Sequence, residues 1–224
     1  MSRLGTAPEA VLFDLDGTLV DSAPDLAGAA NEMRAFRGLP PLPFECLRPM
    51  VGSGARGMVG VALQVTTEDA SFAALRDEFL DRYAARLTLE SRLFAEMLPV
   101  LDALDAHPLS WGIVTNKASR FTLPVVRGLG LAERAKVVIS GDTTPHSKPH
   151  PGPLLEAARR IGVLPSACLY VGDDLRDVQA GRAAGMRTVA VAWGYLGMGE
   201  PIASWNADAV IERPDELLQL LAMT

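Results

Sequence analysis

Ala10-Val-Leu-Phe-Asp-Leu-Asp-Gly-Thr18 is the stretch on which the reading of the chain turns. Four apolar residues run into two carboxylates two positions apart, then into Gly-Thr. The apolar run predicts a buried strand and the polar tail a turn at its carboxyl end. Along a strand, residues two apart share a face at roughly 6–7 Å, so Asp14 and Asp16 would point the same way. Two carboxylates at the end of an oily strand are costly unless a cation or hydrogen bonds compensate. The plain alternative is a hairpin, with Asp16-Gly17 as the turn between residues 11–15 and 18–20. That alternative gives Asp14 no purpose, and it runs into residues 22–25, which have the composition of a helix start.

Similar apolar runs return only much later in the chain. They are 110–115 (SWGIVT), 136–140 (KVVIS), Cys168–Gly172 (CLYVG) and 188–192 (TVAVA), with Ala209–Ile211 as a weaker sixth. Near-continuous Val/Ile-rich runs are what strands buried on both faces require. Helical spacing lies between them: Val100, Leu101 and Leu104, then Leu154, Leu155, Ala158 and Ile161, then 174–184 ahead of Gly185. A last helix is expected from Pro214, with Asp215 and Glu216 in its positive first turn. Helix alternating with strand predicts a parallel sheet covered by helices. Residues 22–89 break the rhythm. Residues 25–37 read as a helix ended by Gly38 and a Pro-rich stretch, and Phe72, Leu75, Phe79 and Tyr83 recur at helical spacing. Roughly 65 residues of helix are too many for a simple crossover, so an inserted helical subdomain is expected.

Composition agrees with this plan. At 224 residues the chain exceeds one typical domain of about 100–150 residues and falls short of two. Its 21 basic and 27 acidic residues give a net charge of −6, which argues against a broadly basic nucleic-acid binder. The longest uncharged stretches, 161–172 and 188–199, are twelve residues each, too short for the roughly 18 apolar residues of a membrane span. Arg3 is followed by Glu9 and Asp14, which interrupt any signal-peptide core. Cys46 and Cys168 form no C-x-x-C pattern and read as small buried hydrophobes. A reducing, cytoplasmic setting is the corresponding expectation.

Three further constellations carry chemistry. Thr115-Asn-Lys117 follows an apolar run, where a hydroxyl and free N–H groups can hold phosphate; an ordinary helix cap is the alternative. Ser147-Lys148-Pro149 lies among prolines 145, 149, 151 and 153, which would hold the ammonium rigidly toward an anion; a solvated surface lysine is the alternative. His146 and His150 there read as loop residues. Gly172-Asp-Asp-Leu-Arg-Asp177 places Asp173, Asp174 and Asp177 at a helix start, where capping explains one or two of them. Gly52-Ser-Gly-Ala-Arg-Gly57 matches G-x-G-x-x-G but follows no buried strand, so it reads as a loop in the helical insertion with Arg56 free to grip an anion; a surface charge is the alternative, and position alone does not decide. The four chemical constellations share one property: each ends, or follows, an expected buried strand. In an open parallel sheet those ends converge on one crevice. Carboxylates for a divalent cation, a hydroxyl, a lysine and an anion-binding turn together fit phosphoryl chemistry.

DLDGT at 14–18, VTNK at 114–117, SKPHP at 147–151 and GDDLRD at 172–177 resemble the four ordered motifs of the haloacid-dehalogenase-like hydrolase superfamily. Within it the chain is similar to the phosphoglycolate phosphatase group, including its bacterial relatives acting on N-acetylmuramic acid 6-phosphate. WGIVTNKASRF (111–121) and VGDDLRDVQAG (171–181) look closer to those relatives. The resemblance implies a doubly wound, Rossmann-like α/β core (1–20 and 92–224) with an inserted α-helical cap (21–91). It implies that Asp14 attacks phosphorus and that Asp16 serves as acid and then base. Mg2+ would be held by the Asp14 carboxylate, the Asp16 carbonyl and Asp173, with Asp177 steadying the shell. Thr115, the Asn116 backbone and Lys148 would hold the phosphoryl oxygens, and the loop with Gly54 and Arg56 would face the substrate. Asp174 occupies a variable position and receives no role. The expectation is a magnesium-dependent phosphatase for a small phosphorylated metabolite in carbohydrate metabolism, with no nucleic-acid or membrane partner, as a monomer or homodimer. A phosphomutase on the same scaffold is the alternative; a dehalogenase would not need Asp16 and Asp173, and a silent binding module would not need the whole set.

Overall fold

Buried strands on two covered faces organise the chain. The computed structural model describes residues 7–196 and 199–223. Arg3 and the other residues of 1–6, with which the expected core begins, lie outside the described residues, as do two residues of the uncharged stretch 188–199.

In chain order the elements are β1 (Ala10–Phe13), β2 (Val20–Asp21), α1 (Ala23–Phe36), α2 (Phe44–Leu47), α3 (Gly54–Leu63), α4 (Phe72–Ala84), β3 (Arg92–Leu93), α5 (Met97–Asp105), β4 (Ser110–Val114), α6 (Ser119–Gly128), β5 (Val138–Ile139), α7 (Gly152–Ile161), β6 (Cys168–Gly172), α8 (Leu175–Ala183), β7 (Arg187–Val191), β8 (Ala209–Ile211) and α9 (Glu216–Leu220). Six strands make one sheet in the order β5-β4-β1-β6-β7-β8, and every pairing in it is parallel. Leaving out the short β2 and β3, that is the order 3-2-1-4-5-6 of a doubly wound sheet. β1 sits at its centre, with Ala10 level with Ser110 on one side and Cys168 on the other.

The two faces follow from alternation along β1. Val11 and Phe13 pack with Val100 and Leu104 of α5, Val125 of α6 and Leu217 of α9. Ala10 and Leu12 pack with Leu154 and Ala157 of α7 and Ala180 of α8. All four β1 residues are fully buried. Burial at about 1.5–3 kcal/mol for each large side chain lets this strand carry two carboxylates at its end.

Helices α1–α4 pack on one another through Leu26, Met33, Leu47, Met58 and Phe79, and this cluster also takes in Phe121 and Tyr195 from the other side of the molecule. The chain enters and leaves this helical segment through β2 and β3, which pair antiparallel as Val20↔Leu93 and Asp21↔Arg92. Asp25 of α1 is fully buried beside it and accepts from the Ser91 N–H (2.8 Å) and hydroxyl (2.7 Å), tying the outgoing and returning chain together.

Several local expectations change. The run 136–140 is a strand only at Val138–Ile139, because β5 lies at the sheet edge with β4 as its sole partner. The Gly52–Gly57 stretch is not a loop: Arg48–Ser53 forms a 3₁₀ helix and α3 starts at Gly54, whose φ of +62° turns the chain between them. Cys46 is exposed, because Leu47 is the buried residue of α2, while Cys168 is buried as expected. Among the described residues no helix is long and apolar enough to cross a membrane.

Candidate active site

The carboxyl ends of the central strands supply the chemistry. Asp14 follows β1, Thr115 follows β4, Asp173 follows β6, and Lys148 lies in the loop after β5. All four line one cavity of about 410 Å³. It opens where the sheet order reverses between β1 and β6, the position at which such sheets bind ligands.

Lys148 is buried, and its ammonium donates to Asp14 Oδ1 (2.7 Å), Asp177 Oδ1 (2.7 Å) and the Tyr170 hydroxyl (2.8 Å). A longer contact, 3.2 Å, runs from the ammonium to the Val114 carbonyl. Tyr170 in turn donates to the Val114 carbonyl (2.8 Å), which anchors the group to β4. Burial pulls the Lys148 pKa down, but Asp14 and Asp177 outweigh it and the net shift is upward, so the side chain stays charged. Asn116 holds the same loop: its side-chain carbonyl accepts from the Lys148 N–H (2.8 Å) and its amide donates to the Lys148 carbonyl (2.9 Å).

Asp173 accepts from the Thr18 hydroxyl (3.1 Å) and the Tyr195 N–H (2.8 Å). Gly17 and Gly194 close on it so tightly that a Cβ on either would lie within 2.2 Å of its side chain. Carboxylate oxygens of Asp14, Asp173 and Asp177 lie within 4.8 Å of one another, all buried. Burial, with Lys148 pulling back and Asp177 and Asp16 adding repulsion, pushes the Asp14 carboxyl up to about 7. Burial and the neighbouring Asp14 and Asp177 push Asp173 well above the carboxylate range. One ammonium does not balance three buried carboxylates. The donors are all hard oxygens, so the cluster suits a hard divalent cation.

Asp16 points away from this cluster. Its carboxylate accepts from the Ser22 hydroxyl (2.6 Å) and from Lys117 Nζ (3.0 and 3.1 Å). Lys117 also reaches the Tyr83 hydroxyl of α4 at 2.6 Å. Asp16 and Tyr83 outweigh burial and hold the Lys117 pKa above its ordinary value. A chain of contacts thus runs from Asp16 to the helical segment.

A model of the haloacid dehalogenase-like hydrolases matches residues 11–191. This chain belongs to that family. Among relatives of this hydrolase, an N-acetylmuramic acid 6-phosphate phosphatase of Pseudomonas aeruginosa is 43% identical over 95% of the chain and 94% of its own length. A phosphoglycolate phosphatase of Xanthomonas campestris pv. campestris is 48% identical over 94% of the chain and 95% of its own length. The crystal structure of a predicted phosphoglycolate phosphatase from Haemophilus somnus superposes with a TM-score of 0.84 at 28% identity, covering 96% of this chain and 99% of that one. Kinship of this order over nearly the whole length makes the hydrolase a phosphatase.

Of the residues expected to serve the site, Asp14, Asp16, Thr115, Asn116, Lys148, Asp173, Asp177 and Gly54 all line the main cavity. Arg56 does not: it is exposed and lines a second cavity of about 340 Å³, across residues 52–53 from the first. Asp177 does two jobs. One oxygen holds Lys148 while the other accepts the Asp174 N–H (3.0 Å), and Asp174 accepts the Arg176 N–H (2.8 Å), forming a capping box at α8. Asp174 therefore has a place, as cap and as partner of Arg176 at 2.7 Å. Residue-by-residue reading missed Lys117, Arg120, Tyr83, Tyr170 and Tyr195. Lys117 and Arg120 were visible two and five residues beyond Thr115, just past the end of β4. The tyrosines carried no such signal, since a Tyr at core spacing reads as core.

Proposed function

We propose that this chain is a magnesium-dependent phosphatase that hydrolyses a small phosphorylated metabolite, of the 2-phosphoglycolate or N-acetylmuramic acid 6-phosphate class, through an aspartyl-phosphate. The observation that carries the reading is Asp14: a buried carboxylate at the end of the central strand, held by Lys148 at 2.7 Å beside Asp173. The Asp14 oxygen attacks phosphorus and the ester P–O bond breaks. Asp16 gives its proton to the leaving alcohol, then takes one from the water that attacks the phosphorus of the aspartyl-phosphate. Inorganic phosphate leaves and Asp14 is restored. Thr115, the Asn116 backbone and Lys148 meet the phosphoryl oxygens. The Asp14 and Asp173 carboxylates and the Asp16 carbonyl would hold magnesium, and Asp177 keeps Lys148 charged and in place. The ion, when bound, neutralises charge between nucleophile and phosphate. Residues 21–91 act as a cap on the core of 1–20 and 92–224, excluding water from the phosphate.

The test is release of inorganic phosphate from p-nitrophenyl phosphate. Activity should need added Mg2+, vanish with chelator, and fall to background in Asp14→Asn. Undiminished turnover under chelator or in Asp14→Asn, or transfer of the phosphoryl group to a second sugar hydroxyl in place of water, would contradict the reading.

A further inference from the structure

We infer that Arg120 is the specificity residue of this site, and that it binds a carboxylate carried by the phosphorylated substrate. The inference rests on the phosphatase reading above and adds to it the second anionic group of the substrate. Four cationic side chains line the main cavity: Lys117, Arg120, Lys148 and Arg176. Three of them are already neutralised inside the protein, Lys117 by Asp16 (3.0 Å), Lys148 by Asp14 and Asp177 (2.7 Å each) and Arg176 by Asp174 (2.7 Å). Arg120 has no carboxylate partner among the described residues, although five aspartates line the same cavity. Arg120 is itself exposed, and one contact holds its head group. Its guanidinium lies over the Phe121 ring, 4.4 Å from the centroid. Phe121 is buried and packs on Tyr83 of α4 at 5.5 Å between ring centroids. Stacking on a fixed ring orients the planar fork and leaves its edge donors free, the arrangement that suits bidentate capture of a carboxylate.

Placement agrees with this role. Arg120 opens α6, five residues past Thr115, so the helix that follows the phosphate end of β4 presents it to the same cavity. A phosphomonoester with its phosphorus at Asp14 would extend past Thr115 toward Arg120. The cavity, at about 410 Å³, falls within the roughly 300–1,000 Å³ of ordinary ligand sites and has room for such a molecule. Arg56, the cation that the family resemblance placed toward the substrate, lines the other cavity.

The experiment compares kcat/KM for two matched pairs. N-acetylmuramic acid 6-phosphate is set against N-acetylglucosamine 6-phosphate, which lacks only the carboxylate-bearing ether. 2-Phosphoglycolate is set against ethyl phosphate. The wild-type enzyme should prefer the acid in at least one pair. Arg120→Gln should lose about 10- to 100-fold on that acid, the worth of a charge-assisted hydrogen-bond pair, and less than about threefold on its congener. Arg120→Lys should recover part of the loss. Equal losses on acid and congener, no acid preference in a wild-type enzyme that cleaves p-nitrophenyl phosphate, or a larger loss from Arg56→Gln than from Arg120→Gln would each overturn the assignment. Failure of the wild-type enzyme on p-nitrophenyl phosphate with Mg2+ would fall on the phosphatase reading instead.

Discussion

Asp173 shows how closely single residues are constrained here. Its carboxylate is fixed by Thr18 and by the Tyr195 N–H, and Gly17 presses against it with φ at +88°. A side chain at position 17 meets two penalties together. The backbone alone costs about 1–3 kcal/mol for a non-glycine residue in a left-handed conformation. A Cβ would also lie 2.1 Å from Asp173 Oδ2, so the carboxylate must move. Gly17→Ala should therefore lose most of its phosphatase activity as well as about 1–3 kcal/mol of stability. Activity and urea denaturation on one preparation check both; a variant with wild-type turnover would show that Asp173 need not stay where it is. The glycine of DLDGT is thus a spatial requirement of a residue at the far end of another strand, which nothing in its own neighbourhood announces.

At the level of elements, the ribbon of β2 and β3 and the buried start of α1 decide how the helical segment is attached. Asp25 accepts from the Ser91 and Glu90 N–H groups and the Ser91 hydroxyl, with Arg86 at 3.4 Å. Removing the carboxylate leaves those N–H and O–H donors without their acceptor, while Arg86 keeps Glu32 and Glu90, so Asp25→Ala should lose about 3 kcal/mol in urea denaturation. A loss under about 1 kcal/mol would mean that water takes over the bonds. Much of this architecture was legible in the sequence. Ala10–Phe13, Cys168–Gly172 and the run 188–192 announced themselves as strands because both their faces are buried, and Asp14, Thr115, Lys148 and Asp173 stood at or after strand ends. What was not legible depends on partners distant in sequence. Asp25 looks like an ordinary first-turn acid, and the Tyr195 hydroxyl accepts the Ser22 and Ala23 N–H groups at the start of α1 from the other end of the chain. β2 and β3 are two residues each and have no periodicity to detect.

Across the whole molecule, the net charge of −6 hides a site built from both signs. Aspartates crowd the strand ends, and each buried cation answers one or two of them. The helical segment leans on this same region. Arg176 donates to the Gly52 carbonyl (2.6 Å), Arg48 donates to the Trp193 and Gly194 carbonyls (3.1 and 3.2 Å), and Lys117 reaches Tyr83. These contacts place the helices beside the cavity that holds Asp14. The account stands or falls on Asp14 carrying the phosphoryl group. Borohydride added during turnover of p-nitrophenyl phosphate, followed by peptide mass mapping, reads this directly, since an aspartyl-phosphate is reduced to homoserine. The expected result is conversion at position 14 alone, only when substrate and Mg2+ are both present. Steady turnover with an unmodified Asp14, or conversion at another aspartate, would contradict it.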